Sequence, residues 1–183
     1  MYKRQNAHTG GTTLNAGTLV LENASALGAG KSLVREGAKL VAGAEVALSS
    51  AGQSLTLVLG AAQAGENGTA LVASENGGKI VVSGAAEIYF DVSALMKSRA
   101  AGENEDLALT VAAESALAFN DENAHVGWWD ETGTQWADLY DYGFSYADGV
   151  LFLTVPEPSA FGLLAGAFAL ALCAASRRRR RKS

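Results

Sequence analysis

Aromatic side chains are concentrated in one segment of the sequence, between residues 128 and 152. The segment holds eight of the fourteen aromatic residues of the chain: Trp128, Trp129, Trp136, Tyr140, Tyr142, Phe144, Tyr146 and Phe152. Flat rings can stack on the apolar faces of sugars, and nearby Asp side chains can accept hydrogen bonds from sugar hydroxyls. Trp136, Tyr140 and Tyr142 are therefore candidate glycan-stacking residues. The commoner role of such rings is packing, in which case the segment caps a β domain, and the spacing alone does not exclude either role.

Other patterns that could support chemistry fail on spacing. Gly30-Lys31-Ser32 ends like a phosphate-binding loop, but Ser25 stands where that motif requires its first Gly. His8 and His125 lie far apart without Cys or His neighbours at ligand spacing, which argues against a zinc site. The sequence contains no Gly-x-Ser-x-Gly elbow. We therefore expect no catalytic residue, no metal and no cofactor. Five acidic residues could gather around calcium, but they depart from the pattern of a dedicated calcium loop: Asp130, Glu131, Asp138, Asp141 and Asp148.

An apolar segment and a basic cluster follow near the end of the sequence. Residues 160–175 carry no charge, and as a helix they would rise about 24 Å, which can span a bilayer when flanking Arg side chains snorkel. The positive-inside rule places the basic cluster on the cytoplasmic side and the body across the membrane. A buried core helix with a solvated tail is the alternative, although a segment that is apolar all round fits it less well. The membrane-orientation charges are Arg177, Arg178, Arg179, Arg180, Arg181 and Lys182.

The body of the chain is acidic. The net charge of −5 becomes −11 once the six positive charges of the basic cluster are set aside. An acidic body has no electrostatic attraction for phosphates, so we expect no nucleic-acid partner. Cys173 is the single cysteine and lies within the apolar segment, which excludes an intrachain disulfide.

Two prolines precede the apolar segment. Pro156 and Pro158 hold the backbone around Glu157 extended and free of ladder hydrogen bonds. Pro-Glu-Pro, an apolar helix and a terminal Arg cluster together resemble the PEP-CTERM sorting signal of Gram-negative bacteria, over residues 156–183. The resemblance implies that an exosortase-type membrane transpeptidase recognises Pro156, Glu157 and Pro158 as a substrate motif. It also implies release or transfer of the body to the cell surface or its matrix.

Short apolar runs separated by small residues recur along the body. The first unit, TLNAGTLVLENASALGAG, has Leu14, Leu19 and Leu21 at strand spacing, and similar units begin at residues 37, 53 and 69. One such unit cannot bury its apolar side alone, but coils stacked on one another form a continuous apolar column. The first unit resembles the autotransporter-associated β-strand repeat of parallel β-helix passenger domains, and the later units match it weakly.

These patterns predict an all-β protein: a short parallel β-helix or solenoid with a C-terminal single transmembrane helix. A β-sandwich of short antiparallel strands remains the alternative, because turn chemistry does not separate the two. We expect β-solenoid repeats over residues 1–119, an aromatic-rich β cap over 120–155, and the sorting signal with its transmembrane helix and Arg-rich tail over 156–183. Residues 91–105 predict a short surface helix or loop, and residues 107–119 a longer strand pair or a final coil.

The predicted function is that of an exported, non-enzymatic protein of the cell surface or extracellular matrix, structural or adhesin-like. The alternative is a carbohydrate-binding or carbohydrate-active module displayed by the same tail, and a third is a permanently anchored single-span membrane protein. Expected partners are the exosortase-type transpeptidase, the membrane and surface polysaccharide. The start, MYKRQNAHTGGTT, has no apolar secretory stretch, so we expect this chain to be the C-terminal part of a longer protein.

Overall fold

The computed structural model describes residues 9–65, 67–98, 106–113, 115–129, 135–139 and 143–154. Within these ranges the chain is mostly β, with one short α-helix, α1 (Ser93–Ser98), and 3-10 helices at Ala61–Gln63 and Asp121–Asn123. The strands are β1 Thr13–Leu14, β2 Gly17–Leu21, β3 Lys31–Val34, β4 Ala38–Ala42, β5 Glu45–Leu48, β6 Ser54–Val58, β7 Val72–Ser74, β8 Lys79–Val82, β9 Glu87–Asp91, β10 Leu107–Thr110, β11 Leu117–Phe119, β12 Ala124–Trp129, β13 Trp136–Asp138, β14 Gly143–Ala147 and β15 Val150–Thr154. The prediction that the body is built of β-strands is confirmed.

Successive strands contribute in turn to three sheets. The first sheet has the order β1-β3-β6-β9-β12-β13, the second β2-β4-β7 and the third β5-β8-β11. The strands β3, β4 and β5 pair in parallel with β6, β7 and β8, respectively. Because parallel neighbours keep their side chains in register, Leu33, Thr56, Tyr89 and His125 lie side by side across the first sheet.

Antiparallel pairs make the architecture mixed. The first sheet ends with β13 running antiparallel to β12. A fourth sheet, β10-β15-β14, is antiparallel throughout. Residues 107–119 therefore form two short strands that belong to different sheets, since β10 pairs with β15 and β11 pairs with β8. The helix α1 falls inside the segment predicted as a short helix or loop.

Alternation along the strands directs apolar side chains into one core. In β4, Leu40 is buried and its neighbour Lys39 is exposed, and in β5 Val46 and Leu48 are buried while Ala47 is exposed. A side-chain period of two is what a half-buried strand requires. Buried Leu, Val, Ile, Ala and Phe side chains from the four sheets form a single contiguous cluster. The apolar residues of the repeated units are thus the residues that build this core.

The predicted transmembrane segment, residues 160–175, lies outside the described residues, as do the sorting motif and the basic cluster. Among the residues that the structure describes, no helix has the length and apolar character needed to cross a membrane.

Candidate binding surface

Four aromatic rings meet on the outer face of the first sheet. Tyr89 stacks on His125 with ring centroids 4.9 Å apart, and Trp136 meets the same tyrosine edge-on at 4.9 Å. Trp129 lies 5.2 Å from Tyr89 and 5.3 Å from Trp136. Ring pairs at these separations attract each other through edge-to-face and offset contacts. We call Tyr89, His125, Trp129 and Trp136 the aromatic cluster.

The sheet register brings these rings together. His125 pairs with Tyr89 across β12 and β9, and Trp129 pairs with Trp136 across β12 and β13. Because side chains alternate along a strand, the residues on either side of Tyr89, Ile88 and Phe90, face the core and are fully buried. The outer positions are left to rings that are only partly covered.

Two carboxylates border the aromatic cluster and accept hydrogen bonds from its rings. The Tyr89 hydroxyl donates to Glu87 Oε2, and Trp136 Nε1 donates to Asp138 Oδ1 at 2.7 Å. His125 lies between them, with Nε2 4.0 Å from Glu87 Oε1 and Nδ1 3.8 Å from Asp138 Oδ1. The side chains of Glu87 and Asp138 remain 51% and 38% exposed, so both carboxylates also face solvent.

The environment keeps Tyr89 protonated. Burial raises the pKa of its phenol well above the ordinary range, and the hydrogen bond to Glu87 and the negative charges of Glu87 and Asp138 raise this pKa further. The hydroxyl is therefore a hydrogen-bond donor over the physiological pH range.

A lysine approaches the aromatic cluster from β3, which β6 separates from β9. Lys31 Nζ lies 5.6 Å from the ring centroid of Trp129, within the range of a cation–π contact. On the strand between, Ser54 and Thr56 point to the same outer face, yet they are only 3% and 5% exposed. Larger side chains therefore cover the outer face of β6. Ser54 Oγ has no hydrogen-bond partner among the described residues.

A second group of rings packs against the core, and its Phe119 and Tyr146 are partly buried. Tyr146 on β14 packs 4.7 Å from Phe119, and Phe119 lies 5.5 Å from the fully buried Phe90. Burial raises the pKa of Tyr146 to about 12. Phe144 and Phe152 of the same aromatic segment stay 37% and 39% exposed. The segment thus supplies rings both to the core and to the surface.

Only part of the predicted site can be located. Trp136 belongs to the aromatic cluster, while Tyr140 and Tyr142 lie outside the described residues. The sequence patterns did not identify Tyr89 and Trp129 as partners of Trp136, and they bore on His125 only as a zinc ligand, a role that its spacing argued against. The alternation of residues along β9 could have placed Tyr89 on the outer face, but it could not show that β12 is the neighbouring strand.

The Gly30-Lys31-Ser32 segment, rejected as a phosphate-binding loop, takes an ordinary structural place, whereas His8, Asp130, Glu131 and Asp141 lie outside the described residues. Lys31 and Ser32 open β3, and the buried Ser32 hydroxyl donates to Leu27 O at 3.2 Å and accepts from Thr12 N at 3.1 Å. Among the described residues, no group of three or more His, Cys, Asp and Glu side chains is placed to hold a metal ion.

Comparison with known proteins finds no matching family model, no matching curated protein and no matching solved structure.

Proposed function

We propose that this chain is the body and sorting tail of an exported, non-enzymatic surface protein with a structural or adhesive role. The observation that carries the proposal is the repeated order of the sheets, in which β3, β4 and β5 are followed by β6, β7 and β8 in the same three sheets. Stacked coils of this kind form a scaffold whose outer faces are free to contact other molecules.

We infer the finer fold, a short parallel β-helix, from the same pairing. Eight of the eleven strand pairs among the described residues are parallel, and the parallel pairs join consecutive turns of the chain. An antiparallel β-sandwich would not produce them. In this proposal β13 and the fourth sheet cover the end of the stack, where Tyr146 packs against Phe119.

The proposed location rests on the tail of the sequence. Pro156, Glu157 and Pro158 would be read by an exosortase-type membrane transpeptidase, residues 160–175 would cross the membrane, and the six basic residues would hold the end in the cytoplasm. The acidic body would then lie outside the cytoplasm, where it is released or transferred to the cell surface.

Thiol labelling in cells with an intact envelope tests this location. In a Cys173→Ser background, Ala47→Cys places a single thiol at an exposed position of β5, and Val46→Cys places it at the fully buried neighbour. A membrane-impermeant maleimide is expected to label Ala47→Cys in whole cells and to leave the Val46→Cys control unlabelled until the protein is denatured. Labelling of Ala47→Cys only after lysis would overturn the proposed location.

The sorting motif is tested by intact mass. In cells that process the protein, the Pro156→Ala/Pro158→Ala variant is expected to keep its tail, while the wild-type protein and the Ser159→Ala control lose theirs. Equal processing of all three forms would contradict the role of Pro156 and Pro158 in sorting. The proposed location would then depend on the labelling experiment alone.

A further inference from the structure

The aromatic cluster is unusual for an outer sheet face. Outward positions of a half-buried strand normally carry polar side chains, yet three neighbouring strands, β9, β12 and β13, contribute partly exposed rings that touch one another. Contiguous apolar area at a surface, bordered by polar groups, marks an interaction site in soluble proteins.

We propose that the aromatic cluster, bordered by Glu87 and Asp138, binds a neutral carbohydrate. Ring faces of Trp129 and Trp136 would contact the C–H surfaces of the sugar. Each carboxylate has about four lone-pair positions. Tyr89 donates to one position on Glu87, and Trp136 donates to one position on Asp138. Both carboxylates are partly exposed, so other lone pairs on them can accept hydrogen bonds from sugar hydroxyls.

The charges around the cluster select this ligand over others. The carboxylates of Glu87 and Asp138 repel phosphates and other anions, which argues against nucleic acids and acidic glycans. The ammonium of Lys31 already lies over Trp129, and a second cation on that ring would be repelled. A wholly apolar peptide would strip water from two charged carboxylates without replacing their hydrogen bonds. A neutral ligand with one apolar face and many hydroxyls satisfies both kinds of group.

The size of the surface fits an oligosaccharide. Three strands spaced about 4.8 Å apart give a platform roughly 10 Å across. The rings pack against one another, and Tyr89 and Trp136 are tied to carboxylates, so their orientations are set before a ligand arrives. This inference rests on the proposed function in one respect only: the protein would encounter its carbohydrate ligand at the cell surface.

Titration of the purified full chain with neutral hexasaccharides tests the inference. Cellohexaose, chitohexaose and mannohexaose serve as probes, in a detergent without a sugar head group, and Trp fluorescence and calorimetry are the readouts. At least one probe is expected to bind. Trp136→Ala and Trp129→Ala should each weaken that binding about tenfold or more, because stacked rings dominate such contacts.

Two further variants separate binding from folding. Phe152→Ala removes a ring that is 39% exposed on the fourth sheet and should leave affinity unchanged. Glu87→Gln keeps the shape of the side chain and is expected to weaken binding without changing the far-UV circular dichroism spectrum.

Absence of binding by all three probes would overturn the inference. Equal losses of sugar affinity in Trp136→Ala and Phe152→Ala would also overturn it. So would binding of tetramethylammonium or an apolar peptide that is tighter than the binding of every sugar probe. Labelling of the body in cells is measured separately, so failure of sugar binding and failure of the proposed location can be told apart.

Discussion

Two buried serines differ in how their hydroxyl groups affect the stability of the fold. Ser32 is 1% exposed and both donates and accepts a hydrogen bond, whereas Ser54 Oγ has no hydrogen-bond partner among the described residues. A buried polar group without a partner loses its hydration and regains nothing. The two positions therefore form a matched pair on neighbouring strands, β3 and β6.

We predict that Ser54→Ala raises the free energy of unfolding by about 1 kcal/mol, because it removes an unpaired polar atom. Ser32→Ala should lower the free energy of unfolding by about 1–2 kcal/mol, because Thr12 N loses the hydrogen bond to Ser32 Oγ and Leu27 O loses one of its two donors, keeping only Thr12 Oγ1. Urea denaturation followed by circular dichroism measures both changes. A loss of stability in Ser54→Ala would contradict the assignment of an unpaired hydroxyl.

The phenol of Tyr146 links stability to alkaline pH. Its pKa of about 12 in the folded protein exceeds the unfolded value of about 10, so folding favours the neutral form. The resulting stabilisation is complete below about pH 10 and is lost as pH rises towards 12. Tyr146→Phe keeps the ring and cannot ionise. We predict that the variant loses less stability than the wild type between about pH 10 and 12, measured by urea denaturation, and equal losses would contradict the effect of burial.

At the scale of elements, the turn between β14 and β15 depends on a glycine. Asp148 and Gly149 have φ values of +50° and +84°, and they connect Ala147 to its pairing partner Val150. Two residues with positive φ form the hairpin turn that Asp-Gly favours. A Cβ on Gly149 would lie 2.0 Å from Ala112 O, whereas a Cβ on Gly37, at φ +81°, would meet nothing within 4 Å.

We predict that Gly37→Ala lowers the free energy of unfolding by about 1–2 kcal/mol, from backbone strain alone. Gly149→Ala should lower it by several kcal/mol, on the order of 3 or more, because backbone atoms must also move apart. Thermal and urea unfolding of the two variants provide the comparison. Equal losses of stability in the two variants would show that the close approach of residue 149 to Ala112 adds nothing to the cost of the substitution.

The sequence predicted local elements better than their partners. Alternation identified the strands around Leu40 and Val46, since a period of two appears within a few residues. Trp136 was found because aromatic residues are dense around it. Tyr89 was missed because its meeting with Trp136 depends on the register of three strands, and β10 gave no sign that its partner is β15. Strand pairing joins residues distant in sequence, and no local pattern specifies it.

At the scale of the whole molecule, the parallel pairing of strands positions both the core and the aromatic cluster. The core is one contiguous cluster, mostly of small and medium apolar side chains. The outer face of the first sheet carries the aromatic cluster only because β9, β12 and β13 are neighbours. A changed register would bury or separate these rings, because a shift of one residue reverses the faces of a strand.

Disulfide trapping of the register between β2 and β4 tests this parallel pairing most directly. Thr18 and Lys39 are exposed register partners, and parallel neighbours about 4.8 Å apart lie within disulfide range. In a Cys173→Ser background, the Thr18→Cys/Lys39→Cys variant is expected to form an intrachain disulfide on mild oxidation, measured by counting free thiols by mass. The Thr18→Cys/Val41→Cys control, a diagonal pair about 8 Å apart, should remain reduced. Failure of the first pair to cross-link, or equal cross-linking of both pairs in the folded protein, would contradict the parallel pairing of β2 and β4.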